Sequence, residues 1–190
     1  MLLRKLDRIF GDIVKNLPMY KTAASTGFRV ERCTDPNEKL DAKKQTLYRS
    51  GIGILLFLVK FSRPDISNSV RELSKANDGA TEKNFHGLLR TIKYVLDTRE
   101  KALRYETNAN FETTWKLKAY CDSNFAGDKD TRRSVSGYCI YLFDCLICWK
   151  NKGQKHVTLS STEAEYVAVA EVCTEIMFIR MILWFLGIKI

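Results

Sequence analysis

The sequence predicts a mixed α/β chain of the α+β kind, in which a helical unit precedes a set of strands and one long helix. Apolar residues recur at helical spacing through the first half of the chain, and the spacing becomes alternating after Lys101. A helix-start signal at Ser160-Ser161-Thr162-Glu163 then opens a long apolar stretch that ends at Gly187. These changes in the spacing of apolar residues divide the chain into the three segments described below.

Residues 1–45 are predicted to form an amphipathic helix and a linker. Apolar residues recur at helical spacing from Leu2 to Ile13, charged residues fill the other face, and Pro18 ends the pattern. The residues from there to Gln45 are mostly polar. We therefore expect a helix that docks on a neighbouring domain, followed by an extended linker.

Residues 46–100 are predicted to form a small unit of three helices. The first ends at about Lys60, and the second begins at Pro64, a residue type favoured at the first helical position. Thr81 is a good N-cap for a third helix that runs to about Thr98. The spacing of apolar residues gives each helix one buried face.

Residues 101–190 are predicted to contain strands and then one long helix. A turn is expected at Asn151-Lys152-Gly153, and the helix runs from Ser160 to about Leu186. The predicted strands are Ala102–Glu106, Leu117–Cys121, Ser136–Phe143, Leu146–Trp149 and His156–Leu159.

Composition narrows the class of protein. Hydrophobic residues make up 45% of the chain and charged residues 28%, so a packed core is expected rather than disorder. The 31 Lys and Arg exceed the 22 Asp and Glu, and the net charge of +9 suits a polyanionic partner such as nucleic acid. Six cysteines are too sparse for a disulfide scaffold, which favours a reducing, intracellular compartment. No apolar stretch is long enough to predict a membrane span.

Two acidic residues stand where chemistry is possible. Asp122 closes a predicted strand, where a carboxylate is costly unless it meets water, a cation or hydrogen-bond donors. Glu163 lies in the first turn of the long helix. Each also has an ordinary structural explanation, because Asp122 can be a turn residue and Glu163 can complement the helix dipole.

The surrounding motifs make the two acids more informative. The chain resembles the ribonuclease H domain of copia-type retrotransposon Pol polyproteins, and the matching strings keep the family's order and spacing. Those strings are Cys121 to Asp128, Arg132 to Tyr138, Ile147 to Lys150, Gln154-Lys155 and Ser160 to Tyr166. Upstream, residues 46–100 look like the segment that connects reverse transcriptase to ribonuclease H, through Tyr48 to Gly53, Ser62 to Ile66 and Arg90 to Val95.

The resemblance implies a ribonuclease H-like sheet with a long helix and a two-metal mechanism. Such enzymes hydrolyse the RNA strand of RNA–DNA hybrids during reverse transcription, with Mg²⁺ ions held by carboxylates. Asp122 and Glu163 match the family's first two acids and would be the catalytic, metal-binding residues. Glu165 is two residues further along, about 200° round the helix, so we expect it to face elsewhere.

The family pattern continues past the long helix, into a strand and a helix that carry a third and a fourth acid. No Asp or Glu follows Glu175 in this sequence. Two acids do not readily hold two divalent ions. We therefore expect a C-terminally truncated domain that is inactive by itself.

Two basic segments are candidates for nucleic-acid contacts. Arg132 and Arg133 form one predicted turn, and Lys150, Lys152 and Lys155 form another. Hybrid recognition rests on backbone and 2′-hydroxyl contacts, which such residues can supply, although solvated basic turns are also common. The expected partners are an RNA–DNA hybrid or other nucleic acid and the remainder of the polyprotein, in a cytoplasmic particle or the nucleus.

The second half of the long helix is apolar nearly all round, from Ile176 to Leu186. A helix of this kind is normally buried on several sides. If part of this surface is exposed, we expect self-association through it.

A function of a different class stays open. The chain can instead be a non-enzymatic nucleic-acid-binding or protein-interaction module derived from the same family, which the net charge and the incomplete acid set both favour. An Asp122→Asn variant distinguishes the two, because it abolishes cleavage and leaves binding intact.

Overall fold

The computed structural model describes residues 1–30, 33–105 and 116–188. The chain divides into two units, Met1–Ala102 and Leu103–Ile190. The division falls within two residues of the predicted boundary at 100/101, and the first unit takes in both 1–45 and 46–100. None of the helices in the described ranges is long and apolar enough to cross a membrane.

The described residues of the first unit form four α-helices. The predicted set of three helices after the linker is confirmed, and the N-terminal helix precedes them. The helices are α1 (Leu2–Val14), α2 (Ala42–Phe61), α3 (Ser67–Ser74) and α4 (Glu82–Asp97), with short 3₁₀ turns at Pro36–Glu38 and Pro64–Ile66.

Side-chain caps set where two of these helices begin. The Asp41 carboxylate accepts hydrogen bonds from the backbone N–H groups of Lys43 and Lys44 at 2.8 and 3.0 Å, so α2 starts four residues before the predicted Thr46. Thr81 caps α4 as predicted, since its Oγ1 accepts from the Asn84 N–H at 3.3 Å. Local hydrogen bonds therefore explain both helix starts.

One apolar core joins all four helices of the first unit. Leu6, Phe10 and Val14 on α1 are buried in it, which confirms that the amphipathic helix docks on its neighbours. Gly51 allows the close approach, because a Cβ at that position would lie 3.0 Å from both Phe10 and Leu88. The packing of α1 on α2 therefore depends on a glycine.

The connection between α1 and α2 is tied to this core more firmly than an extended linker would be. Ala23 and Val30 are buried, and the Ala23 carbonyl accepts a hydrogen bond from Thr91 Oγ1 at 3.1 Å. The Val30 N–H donates to Glu72, whose fully buried carboxylate also pairs with Arg71 at 2.6 Å. A buried carboxylate needs such partners, so it fixes the connection in place.

A second polar network joins the α2–α3 corner to the end of α4. Arg63 is 4% exposed and donates to both oxygens of Asp65 at 2.9 and 2.8 Å. Its guanidinium also donates to Thr98 Oγ1 at 2.8 Å, and the Tyr94 hydroxyl donates to Asp65 at 2.9 Å. Burial raises the pKa of Asp65, but the hydrogen bonds and charge of Arg63 and the bond from Tyr94 outweigh it, so the net pKa is lowered.

Three antiparallel strands and one helix make up the described part of the second unit. They are β1 (Leu117–Asn124), β2 (Val135–Leu142), β3 (Cys145–Gly153) and α5 (Ser161–Phe185), with strand order β1-β2-β3. Helix α5 covers one face of the sheet, where Tyr138, Ile140 and Val172 are buried together. The structure thus confirms a mixed α/β chain with a long C-terminal helix.

Both ends of α5 follow the sequence signals. Ser160 Oγ accepts a hydrogen bond from the Glu163 N–H at 3.1 Å. At the other end, Gly187 has φ of +76°, and its N–H donates to the Trp184 carbonyl at 2.9 Å. The predicted N-cap and glycine stop are therefore confirmed.

Two strand predictions are wrong. Residues 156–159 lie outside any strand, and β3 instead continues through the predicted turn to Gly153. The reason is pairing, since Val135 at the start of β2 lies opposite Gly153 and extends the ladder that far. Residues 102–105 also form no strand, and Glu106, the last residue of that prediction, lies outside the described residues.

The Arg63 network predicts a pH-dependent component of stability. A carboxyl whose pKa is lower in the folded chain stabilises above its unfolded pKa, and that contribution disappears as the pH falls through the folded pKa. Asp65→Asn should therefore lower the free energy of unfolding at pH 6, and the difference from the original chain should shrink steadily below about pH 4. Urea unfolding followed by far-ultraviolet circular dichroism measures it.

The exposed Asp78 offers a matched control in the same unit. Asp78→Asn removes the same charge and should leave stability nearly unchanged at both pH values. A difference between Asp65→Asn and the original chain that stays constant down to pH 3 would contradict the assignment.

Candidate functional site

Strand β1 presents its side chains to two different surroundings. Alternate residues are half-buried or exposed along the whole strand, and Cys121 packs into the cluster beneath α5. Asp122 is exposed and lies opposite Gly137 on β2. The strand continues two residues beyond it to Asn124, so Asp122 lies within β1 rather than at its end.

Glu163 performs the structural role that helix-start acids commonly have. It is exposed, and its carboxylate accepts a hydrogen bond from the Leu159 N–H at 2.7 Å. Together with the Ser160 cap, this arrangement satisfies backbone donors around the start of α5. The carboxylate is thus engaged at the helix terminus.

Glu165 is the acid that reaches the sheet beside Asp122. It is half-buried, and its carboxylate accepts hydrogen bonds from the Ser123 N–H at 3.2 Å and from Ser123 Oγ at 2.8 Å. The expectation that Glu165 faces away from this site is therefore wrong. The two glutamates do point in different directions, about 200° apart round the helix. It is Glu165, however, that faces the sheet.

A signal for this orientation is present in the sequence. Glu165, Ala168 and Val172 follow the i, i+3, i+7 spacing of one helix face, and both Ala168 and Val172 are buried against the sheet. The position of Glu165 follows from the small and apolar residues that share its face. Glu163 shares no such stripe.

The electrostatics of Cys121 connect the two acids. Burial raises the pKa of the Cys121 thiol, and the negative charges of Glu165 and Asp122 add to the shift. Both carboxylates therefore lie within electrostatic reach of one side chain.

The two acids near Ser123 are of a chemical type that Mg²⁺ binds. Carboxylate oxygens are ligands that Mg²⁺ prefers, and it commonly takes one or two of them together with water and substrate phosphates. Asp122 and Glu165 both carry ligands of this type, on neighbouring elements of the second unit. Within residues 1–30, 33–105 and 116–188, no group of three or more His, Cys, Asp or Glu side chains is placed to hold a metal ion.

The candidate basic residues do not all lie in the predicted turns. Lys150 and Lys152 lie on β3 rather than in a turn, because that strand runs to Gly153. The Lys150 Nζ lies 3.3 Å from a Glu175 oxygen on α5, so this lysine is already paired. The prediction of a basic turn containing both residues is wrong.

Arg132, Arg133 and Lys155 are all exposed, and they lie at the end of the sheet that carries the two acids. The Gln154 N–H donates to the Ser134 carbonyl at 2.8 Å, which brings the residues flanking Arg133 and Lys155 together. Asn124 also lies opposite Val135 at this end. Lys152 lies opposite Ser136, which lies opposite Ser123, so four of the five predicted cations share one end of the sheet with Asp122.

Comparison with known proteins identifies the family. The chain is 36% identical over 173 residues to the retrovirus-related Pol polyprotein from transposon RE1 of Arabidopsis thaliana, covering 91% of this chain and 11% of that protein. It is 37% identical over 145 residues to the corresponding polyprotein from transposon RE2 of the same plant, covering 76% of this chain and 10% of that protein.

A third relative is much shorter. The chain is 35% identical over 138 residues to the secreted RxLR effector protein 161 of Plasmopara viticola, covering 73% of this chain and 94% of that protein. No family model and no solved structure matches the chain. It spans about a tenth of the length of the two plant polyproteins. The chain belongs to the Pol polyprotein family of copia-type retrotransposons.

Proposed function

We propose that the second unit is a ribonuclease H-like domain, part of a polyprotein that hydrolyses the RNA strand of RNA–DNA hybrids during reverse transcription. The observation that carries the proposal is the contact of Glu165 on α5 with Ser123, the residue that follows Asp122 on β1. Glu163, which matches the same family motif, is the competing second acid. Its bond to the Leu159 N–H favours Glu165 for the chemistry.

Each residue of this site has a distinct task. Asp122 and Glu165 would hold Mg²⁺, which supplies an activated water and stabilises the leaving oxygen when it is bound. Ser123 positions the Glu165 carboxylate through two hydrogen bonds. Arg132, Arg133 and Lys155 bind phosphates at the same end of the sheet, and such contacts hold the hybrid without reading its sequence.

Two carboxylates suit one metal ion better than two. We therefore propose that this chain by itself binds hybrids and does not cleave them, and that the remainder of the polyprotein supplies the other acids. The proposal locates the assembled protein inside the cell, in a cytoplasmic particle or the nucleus.

The alternative is a non-enzymatic nucleic-acid-binding or protein-interaction module. The net charge of +9 and the two-acid site both favour it. The two proposals differ in the role of the acids. In the main proposal the acids contribute to cleavage within a longer polyprotein, and in the alternative they contribute to no cleavage.

Cleavage assays with an end-labelled RNA–DNA hybrid and Mg²⁺ test both proposals. The isolated chain should bind the hybrid and leave it intact, and Asp122→Asn and Glu165→Gln should bind equally well or slightly better because each removes a negative charge. In a longer Pol polyprotein that carries these residues, the same two changes should reduce cleavage by about a hundredfold or more, since a metal ligand is lost.

Glu163→Gln is the matched control, because it changes the same residue type two positions away. It should retain most of the cleavage. Cleavage that depends on Glu163 and tolerates Glu165→Gln would show that the acid pair is misassigned. A chain that fails to bind hybrids at all would overturn both proposals.

We also propose that the chain associates with itself through the second half of α5. Its largest apolar side chains are 53–83% exposed: Met177, Phe178, Met181, Trp184 and Phe185. An exposed apolar patch of this kind is typical of an association surface.

Self-association should be visible by analytical ultracentrifugation as a mass that rises with protein concentration. Met181→Lys together with Phe185→Lys, one turn apart on α5, should shift the chain towards monomer because charges replace the apolar contact. Phe57→Lys with Phe61→Lys is the matched control, since both side chains are about half exposed on α2. A clean monomer at all concentrations, or an equal effect of both pairs, would contradict the proposal.

A further inference from the structure

The first unit contains an open groove between α1 and the C-terminal part of α4. Its volume is about 620 Å³, and its walls are mostly charged. The cations of the walls are Arg4, Arg8, Lys15, Lys93 and Arg99, and the carboxylates are Asp7, Asp12 and Asp97. Five cations face three carboxylates, so the groove carries two net positive charges.

Most of the cations in this groove are available to a ligand. Among the described residues, the side chains of Arg4, Arg8 and Lys15 make no ion pair or hydrogen bond. Arg99 uses only its Nε, which donates to the Leu96 carbonyl at 3.1 Å. By contrast, Lys93 is neutralised by Asp97, whose oxygen lies 3.0 Å from its Nζ.

The free cations are arranged along a line. Arg4 and Lys15 are eleven residues apart, about 16 Å along a helix axis. That length corresponds to about five nucleotide steps of one duplex strand. Gly11 lies between them in the wall of the groove, and the Asp7 carboxylate occupies the space beside it, with its Oδ1 2.8 Å from where a Cβ would lie.

We propose that this groove binds the phosphodiester backbone of nucleic acid, at a second site separate from the acids of the second unit. Arg4, Arg8 and Lys15 contact phosphates spaced over about five nucleotide steps of one strand, and Arg99 contacts the backbone from the other wall. Asp7 and Asp12 lie between these cations and oppose binding. These two carboxylates would limit the affinity of the groove for phosphates, so that binding would need several cation–phosphate contacts at the same time.

The test measures binding of a labelled, short DNA duplex to the full chain in EDTA over a range of salt concentrations. Arg4→Gln with Arg8→Gln should reduce the slope of log K against log salt by about 1.8, and the affinity at physiological salt by about tenfold. Lys5→Gln with Lys43→Gln is the matched control, because both lysines are exposed and lie outside the groove. The control pair should change the slope much less.

A second pair of substitutions should change the affinity for DNA in the opposite direction. Asp7→Asn with Asp12→Asn should tighten binding, because it removes two carboxylates that repel phosphate. Equal slopes for the groove pair and the control pair, or unchanged affinity when the two aspartates are neutralised, would overturn the proposal. DNA duplexes are not substrates of the proposed hydrolysis and EDTA removes the metal, so this result is independent of the acid site.

Discussion

The contact between α5 and the sheet is the constraint on which the second unit depends. One face of the three-stranded sheet is covered, and in the described residues a single helix, α5, covers it over Tyr138 and Ile140. The same contact selects which glutamate lies against Ser123, the residue after Asp122. Because Ala168 and Val172 must face the strands, Glu165 faces them too and meets Ser123, while Glu163 stays at the helix start. The contact of α5 with the sheet therefore determines both the packing of the second unit and the position of Glu165.

The first unit is organised differently, because buried charges hold its connections in place. Glu72 secures the segment between α1 and α2, and Arg63 secures the corner between α2 and α3 through Asp65 and Thr98. Such groups are costly to bury without partners, and removing one partner leaves the other uncompensated. The exposed cations of α1 have no comparable partners, which is why they are available for binding.

Much of the fold could be predicted because its signals are local. Thr81, Ser160 and Gly187 act within one turn of a helix end, and the sequence shows them directly. The extent of β3 and the pairing of Lys150 could not be predicted this way, since both depend on which residues lie opposite across the sheet and under α5. The family motif identified the acidic string from residue 160 to 166, and the helix face that Glu165 shares with Ala168 and Val172 separates its two glutamates, although only the structure shows that this face packs on the sheet.

The central claim is that Asp122 and Glu165 form the acid pair, and two backbone amides report on it. The Ser123 N–H donates to Glu165, and the Leu159 N–H donates to Glu163. We would titrate the isotopically labelled chain with Mg²⁺ and follow both amide resonances by NMR. A cation bound by Asp122 and Glu165 should shift the Ser123 resonance and leave Leu159 nearly unchanged. A shift centred on Leu159, or no shift at Ser123 at millimolar Mg²⁺, would contradict the account.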